Sequence, residues 1–105
     1  SHSPPFARLV LVTVEAREEA KAREEAGKAA AALQDFAGRF KGAIYSVAGP
    51  FTAAIAKLRG KHREQVLVKA RGFREVKAIV DTLKPLVKVS ERLKLSIDVD
   101  PMDML

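Results

Sequence analysis

The stretch ARLVLVTV, Ala7 to Val14, is apolar at almost every position and rich in β-branched residues. A run that keeps no polar face suits a strand buried on both sides, and so one in the middle of a sheet. Pro4 and Pro5 limit how far it extends upstream. The period then changes. Ala22, Ala26, Ala29, Ala30, Leu33, Phe36 and Ala37 recur at helical spacing, while Glu18, Glu19, Arg23 and Glu25 fill the other face. Ala, Glu, Lys and Arg are strong helix formers, and glutamates at the start suit the positive end of the helix dipole. The pattern predicts a helix from about Arg17 to Ala37, with small residues that let it lie close against a sheet.

AIYSVAG, Ala43 to Gly49, reads as a second strand. PFTAAIAKLRGKH follows, with Pro50 at one end and Gly60 near the other. It reads as a long basic connection, of the kind that often carries function. REQVLVKA, Arg63 to Ala70, is a third strand with Val66 and Val68 inward and Gln65, Leu67 and Lys69 outward. In GFREVKAIVDTLKPLV, Phe73, Val76, Val80, Leu83 and Val87 step by three and four and predict the core stripe of a second helix. Arg74, Lys77, Asp81, Lys84 and Lys88 lie off that stripe, and Pro85 should end the helix near Lys84. Finally RLKLSIDVD alternates: Leu93, Leu95, Ile97 and Val99 face in, and Lys94, Ser96, Asp98 and Asp100 face out.

The order is strand, helix, strand, strand, helix, strand. It predicts an α+β fold, a two-layer split βαβ sandwich. One antiparallel four-stranded sheet carries both helices on one face, and the other face is open or covered by a neighbouring domain. A length of 105 residues suits a single domain over 1–105. With no cysteine, disulfide frameworks and thiolate sites or nucleophiles are excluded. No apolar run approaches the ~20 residues of a membrane span, so no membrane partner is expected. The opening SHS, residues 1–3, is expected to be an artificial leader on a piece of a larger protein.

Charge sharpens this picture. The net charge is +6. Residues 1–37 hold five basic and six acidic side chains, residues 38–80 ten and two, and residues 81–105 four and five. The whole excess lies in the middle third, which points to a polyanionic partner or else to a solvated basic face. The candidate nucleic-acid contacts are Lys57, Arg59, Lys61, Arg63, Lys69, Arg71, Arg74 and Lys77. Phosphate-directed affinity needs only such a cluster, whereas base stacking needs exposed aromatics. Tyr45, Phe51 and Phe73 are expected to be mostly buried, which favours backbone and shape recognition. The same cations could capture an acidic peptide or a C-terminal carboxylate. An RNA-binding or ribosomal-type structural module is the alternative on the same architecture.

Catalytic chemistry finds little support. There is no Walker-type loop and no G-x-G-x-x-G after a strand. The histidines are His2, in the leader, and His62, in the basic stretch. No catalytic residue and no cofactor is assigned. The ending IDVDPMDML holds Asp98, Asp100 and Asp103. Asp98 and Asp100 share a face, but no EF-hand spacing is present. They are expected to be solvated or hydrogen-bonded rather than to hold a metal.

PPF at Pro4 to Phe6, VAGP at Val47 to Pro50, RGKHREQVLVKA at Arg59 to Ala70 and IDVDP at Ile97 to Pro101 stand in the order of one domain. Together they resemble the C-terminal domain of primosomal protein N′ (PriA), the bacterial replication-restart DNA helicase. The resemblance covers nearly the whole chain. It implies a fold like ribosomal protein S10 and a cytoplasmic, nucleoid-associated location. It also implies a part in binding branched, forked or single-stranded DNA and in capturing the acidic C-terminal tail of single-strand DNA-binding protein. The other domains of the parent helicase and the primosome proteins are further implied partners. ATP, magnesium and structural zinc belong, on this resemblance, to other segments of the parent. By the same resemblance Lys61 and Gln65 hold the acidic tail. Lys61 stands where the family often has Arg, and His62 and Glu64 where it often has aromatics. Glu64 is expected to add a negative charge beside the tail site.

Overall fold

The computed structural model describes residues 7–86 and 93–100. Pro4, Pro5, Phe6, Val87, Lys88, Pro101 and Asp103 lie outside them. The elements follow the expected order: β1 (Arg8–Ala16), α1 (Glu19–Arg39), β2 (Ile44–Leu58), β3 (Lys61–Ala70), α2 (Phe73–Leu83), a 3-10 turn (Lys84–Leu86) and β4 (Leu93–Val99). They form one four-stranded sheet in the order β2-β3-β1-β4, with every pairing antiparallel.

The β-branched run of β1 takes the centre, bonded to β3 on one side and β4 on the other. Its even-numbered residues Val10, Val12, Val14 and Ala16 are fully buried beneath the helices, and on the opposite face Leu11 and Thr13 are buried too. α1 lays Ala22, Ala26, Ala29, Ala30 and Leu33 on this sheet. α2 contributes Val76, Ile79 and Leu83, which meet Val66 and Val68 of β3 in one core. Both helices cover the same face. Among the described residues no element covers the other.

Three expectations need correction. The segment PFTAAIAKL is not a connection: β2 runs 15 residues and carries it as strand. A two-residue turn at Arg59 and Gly60, with φ of 52° and 77°, then returns the chain into β3. Positive φ at both positions is what a tight hairpin needs to match the strand twist. Pro50 and the small residues of β2 hid it, because three register shifts break its alternation. The α2 stripe is also rotated. Ile79 is buried, Val80 is only half-buried, and Phe73 is 62% exposed. The Phe73 ring is covered by the Arg8 guanidinium, 3.9 Å from its centroid, and not by the sheet. α1 runs two residues further on than expected, to Arg39. Pro85 does end α2: without an N–H it cannot continue the helical ladder, and the chain tightens into the 3-10 turn.

Gly49 marks the first wide irregularity of β2. Its φ is 118°, and a Cβ there would lie 2.7 Å from the carbonyl oxygen of Gln65 and 3.2 Å from Cα of Val66. Both obstacles are backbone, so neither can move aside cheaply. Gly27, inside α1, meets nothing within 4 Å. Gly49→Ala is therefore expected to lower stability by on the order of 2 kcal/mol. Gly27→Ala should raise it by about 0.5–1 kcal/mol. Urea denaturation of the two variants beside the parent checks both signs.

Candidate nucleic-acid interface

Alternation along β3 sends Glu64, Val66, Val68 and Ala70 under the helices, all of them buried. Lys61, Arg63, Gln65, Leu67 and Lys69 therefore project from the uncovered face. The register completes that face. Arg63 stands opposite Glu15 of β1, and Glu15 opposite Lys94 of β4. Gln65 stands opposite Thr13 on one side and Phe51 on the other, and Lys61 opposite Leu58.

At the hairpin end of this face Glu15, Leu58, Arg59, Lys61, Arg63 and Lys94 line a basin of about 350 Å³. Four cations thus surround one carboxylate. Arg63 is half-buried, with 21% of its side chain exposed. Its Nη1 donates to the carbonyl of Ile55 at 3.2 Å. Its Nε lies 3.8 Å from Glu15, within ion-pair range, but has no hydrogen-bond acceptor among the described residues. A buried N–H without an acceptor is costly.

The eight expected cations do not form one patch. Arg59, Lys61 and Arg63 meet in the basin. Lys57 pairs with His62 in register and so lies on the helix side. Lys69 is on the uncovered face, but eight residues along β3 from Lys61, roughly 25 Å at the usual strand rise. Arg71, Arg74 and Lys77 gather at the start of α2, at that same far end. Lys94 was missed among the candidates. Its outward position was legible from the alternation of β4, but only strand order sets it beside Glu15.

Lys61 and Gln65 share the uncovered face with Arg63 between them. The Gln65 amide donates to the Thr13 hydroxyl at 3.1 Å. Glu64 does not lie beside them. It is 5% exposed on the helix side and accepts a hydrogen bond from the Thr52 hydroxyl at 2.8 Å. The aromatics also depart from expectation: Tyr45 is 45% exposed and Phe51 37%. Both lie on the edge strand β2, where no neighbour strand covers them.

Asp100 serves structure. Asp100, at φ 49°, donates its backbone N–H to the Leu9 carbonyl. One carboxylate oxygen accepts the Leu9 N–H at 3.0 Å and the other accepts Arg8 Nη1 at 2.8 Å. Arg8 in turn covers Phe73. One carboxylate thus closes the end of β4 onto β1 and, through Arg8, onto α2. The Leu9 N–H, then Arg8, hold its pKa below the ordinary carboxylate value. Among the described residues no group of three metal-ligating side chains occurs, and no helix is long and apolar enough to cross a membrane.

Comparison with known proteins fits this geometry. A sequence model of the family described as "Primosomal protein N C-terminal domain" matches residues 1–102. No curated protein matches the chain. Among solved structures it is similar to the de novo designed protein Foldit4, at TM-score 0.55 and 15% identity, over 90% of this chain and 97% of that one. It is also similar to the de novo designed protein LFR1 1 with ferredoxin fold, at TM-score 0.57 and 17% identity, over 91% and 86%. These two likenesses establish the ferredoxin-like fold.

Because ionised Asp100 is the form that accepts both bonds, its contribution is present above the usual carboxylate range, about pH 4. It is lost as pH falls through the lowered native pKa. Asp100→Asn should therefore lower the melting temperature at pH 7, and the difference from the parent should shrink as pH falls below the ordinary carboxylate range. Thermal melts across that range check it.

Proposed function

The chain belongs to the primosomal protein N C-terminal domain family, and from that premise we propose that it is a DNA-binding and protein-interaction module for replication restart. The basin of Arg59, Lys61, Arg63 and Lys94 is the observation that carries the reading. Cations drawn from a hairpin and from the opposite edge strand converge on one uncovered face. Such a cluster binds the backbone of a forked or single-stranded DNA, with affinity that falls as salt rises. Phe51 and Tyr45, exposed on the neighbouring edge strand, supply the stacking surface that a single strand uses.

The same face suits the acidic tail of single-strand DNA-binding protein. Lys61 and Arg63 are positioned for its carboxylates, and Phe51, opposite Gln65, for an apolar residue. Glu64, turned under the helices, does not oppose it. Lys69, Arg71, Arg74 and Lys77 extend the cationic surface at the other end of the sheet and would engage a second arm of a branched substrate. The remaining uncovered surface, with Leu11, Leu67 and Ala48 at its centre, suits contact with the other domains of the parent helicase.

Arg63 is held by Ile55 and Glu15, so reversing it would disturb the fold as well as the interface. Arg59 and Lys61 are the cleaner test. The double variant Arg59→Glu, Lys61→Glu should lose at least about tenfold in fork affinity at low salt, with a salt slope shallower by about two. Fluorescence anisotropy with a labelled fork checks this, and unchanged affinity would reject the basin as a DNA site. An acidic tail peptide should compete with the fork, and Phe51→Ser should weaken the peptide more than the fork. Tighter binding of structured RNA than of the fork would favour an RNA-binding module instead.

A further inference from the structure

The helix side carries a second concave surface, at the opposite end of β3 from the basin. It lies where the last turn of α1 meets the first turn of α2. Phe36, Phe40, Lys41, Ala43, Arg71, Arg74, Glu75 and Ala78 line a groove of about 390 Å³, within the size range of ligand-binding pockets. Its walls are the rings of Phe36 and Phe40, with centroids 4.8 Å apart, and the methyl groups of Ala43 and Ala78. Phe40 is 53% exposed, an unusual position for a large aromatic side chain that has an apolar groove beside it.

The rim is cationic. Glu75 is buried and accepts a hydrogen bond from Arg71 at 3.1 Å, which holds that guanidinium over the groove. Lys41 and Arg74 are exposed and have no ion-pair partner among the described residues. The groove therefore offers an apolar floor and two uncompensated positive charges at its edge. We propose that it binds an acidic peptide segment of a partner protein, with bulky apolar side chains seated between Phe36, Phe40 and Ala78 and flanking carboxylates on Lys41 and Arg74.

Charge complementarity selects a polyanion, and the floor decides which kind. No hydroxyl or amide side chain lines the groove. A nucleobase seated on the floor between Phe36, Phe40 and Ala78 would lose water from its polar edges and meet polar groups only at the rim. An aliphatic or aromatic side chain loses nothing and gains roughly 25 cal/mol per Å² buried. An acidic segment with apolar residues meets both conditions. This site shares no residue with the tail site proposed at Lys61 and Gln65, and it faces the other side of the sheet.

The test uses the whole chain and a labelled probe peptide in which Leu-Phe is flanked by aspartates. Backbone amide shifts should map to Phe36, Phe40, Ala43 and Ala78. Phe40→Ser, an exposed position that leaves the core intact, and Arg74→Glu should each weaken the peptide by at least about tenfold. Ala78→Leu, which fills the groove, should do the same. A control peptide with Ser-Ser in place of Leu-Phe should bind at least about tenfold more weakly. Equal binding of the control, or shifts confined to the uncovered face, would overturn the proposal. So would an oligonucleotide that shifts Phe36 and Ala78 where the peptide does not. Self-association abolished by Phe40→Ser, without peptide binding, would assign the groove to a second copy and overturn it as well. Fork affinity of Phe40→Ser, measured in parallel, should equal the parent's, which keeps this outcome separate from that of the DNA reading.

Discussion

The pairing of β1 with strands on both of its sides governs the rest of the molecule. From Val10 to Ala16 β1 is paired on both sides, and its side chains divide strictly between two faces. Val10, Val12, Val14 and Ala16 take the helix side and set the floor of the core. In an antiparallel pair, residues directly opposite each other share a face, and so β1 dictates the faces of β3 and β4. With Val66 and Val68 held against the core, Lys61, Arg63 and Gln65 have only the uncovered face left to them. A slip of one residue would bury the cations and expose the valines.

Around that frame the hairpin is the adjustable part. β2 is an edge strand of 15 residues with exposed Tyr45, Phe51, Ile55 and Leu58. A long, flat, apolar edge invites pairing with another chain. The register shifts around Gly49 and between Thr52 and Lys57 break the regular ladder, which makes this edge a poor template. The same irregularity brings the Ile55 carbonyl to Arg63 and so fixes the direction of the guanidinium in the basin. One local distortion thus both spoils the edge as a pairing template and fixes the Arg63 guanidinium.

The two concave surfaces differ in physical character. The basin on the uncovered face is polar, and its strength lies in the convergence of Arg59, Lys61, Arg63 and Lys94 around Glu15. The groove between the helix ends is apolar, with its charges confined to the rim. Asp100, Arg8 and Phe73 join the end of β4 to the start of α2, so Asp100 stabilises the platform from which Arg74 reaches the groove. A feature with the composition of a metal site is here a closure between strands.

Strand and helix order, the buried positions of α1 and the inward row of β3 were legible in the sequence, because periodicity reports directly which side chains one face must bury. Asp100 as a hydrogen-bonded carboxylate was foreseen for the same reason: its place at the end of an alternating strand left it few other roles. The extension of β2 was not legible, since bulges remove the period that identifies a strand. Nor were the exposures of Tyr45, Phe51 and Phe73. An aromatic residue looks like core in any sequence, and only the position of neighbouring elements decides whether something covers it. The sequence by itself determined the two-layer split βαβ sandwich and the existence of a basic middle third. Tertiary structure alone decided that Lys94 joins Arg59, Lys61 and Arg63 while Lys57 turns away, because which charges share a face depends on strand order and register, which couple residues far apart in the chain.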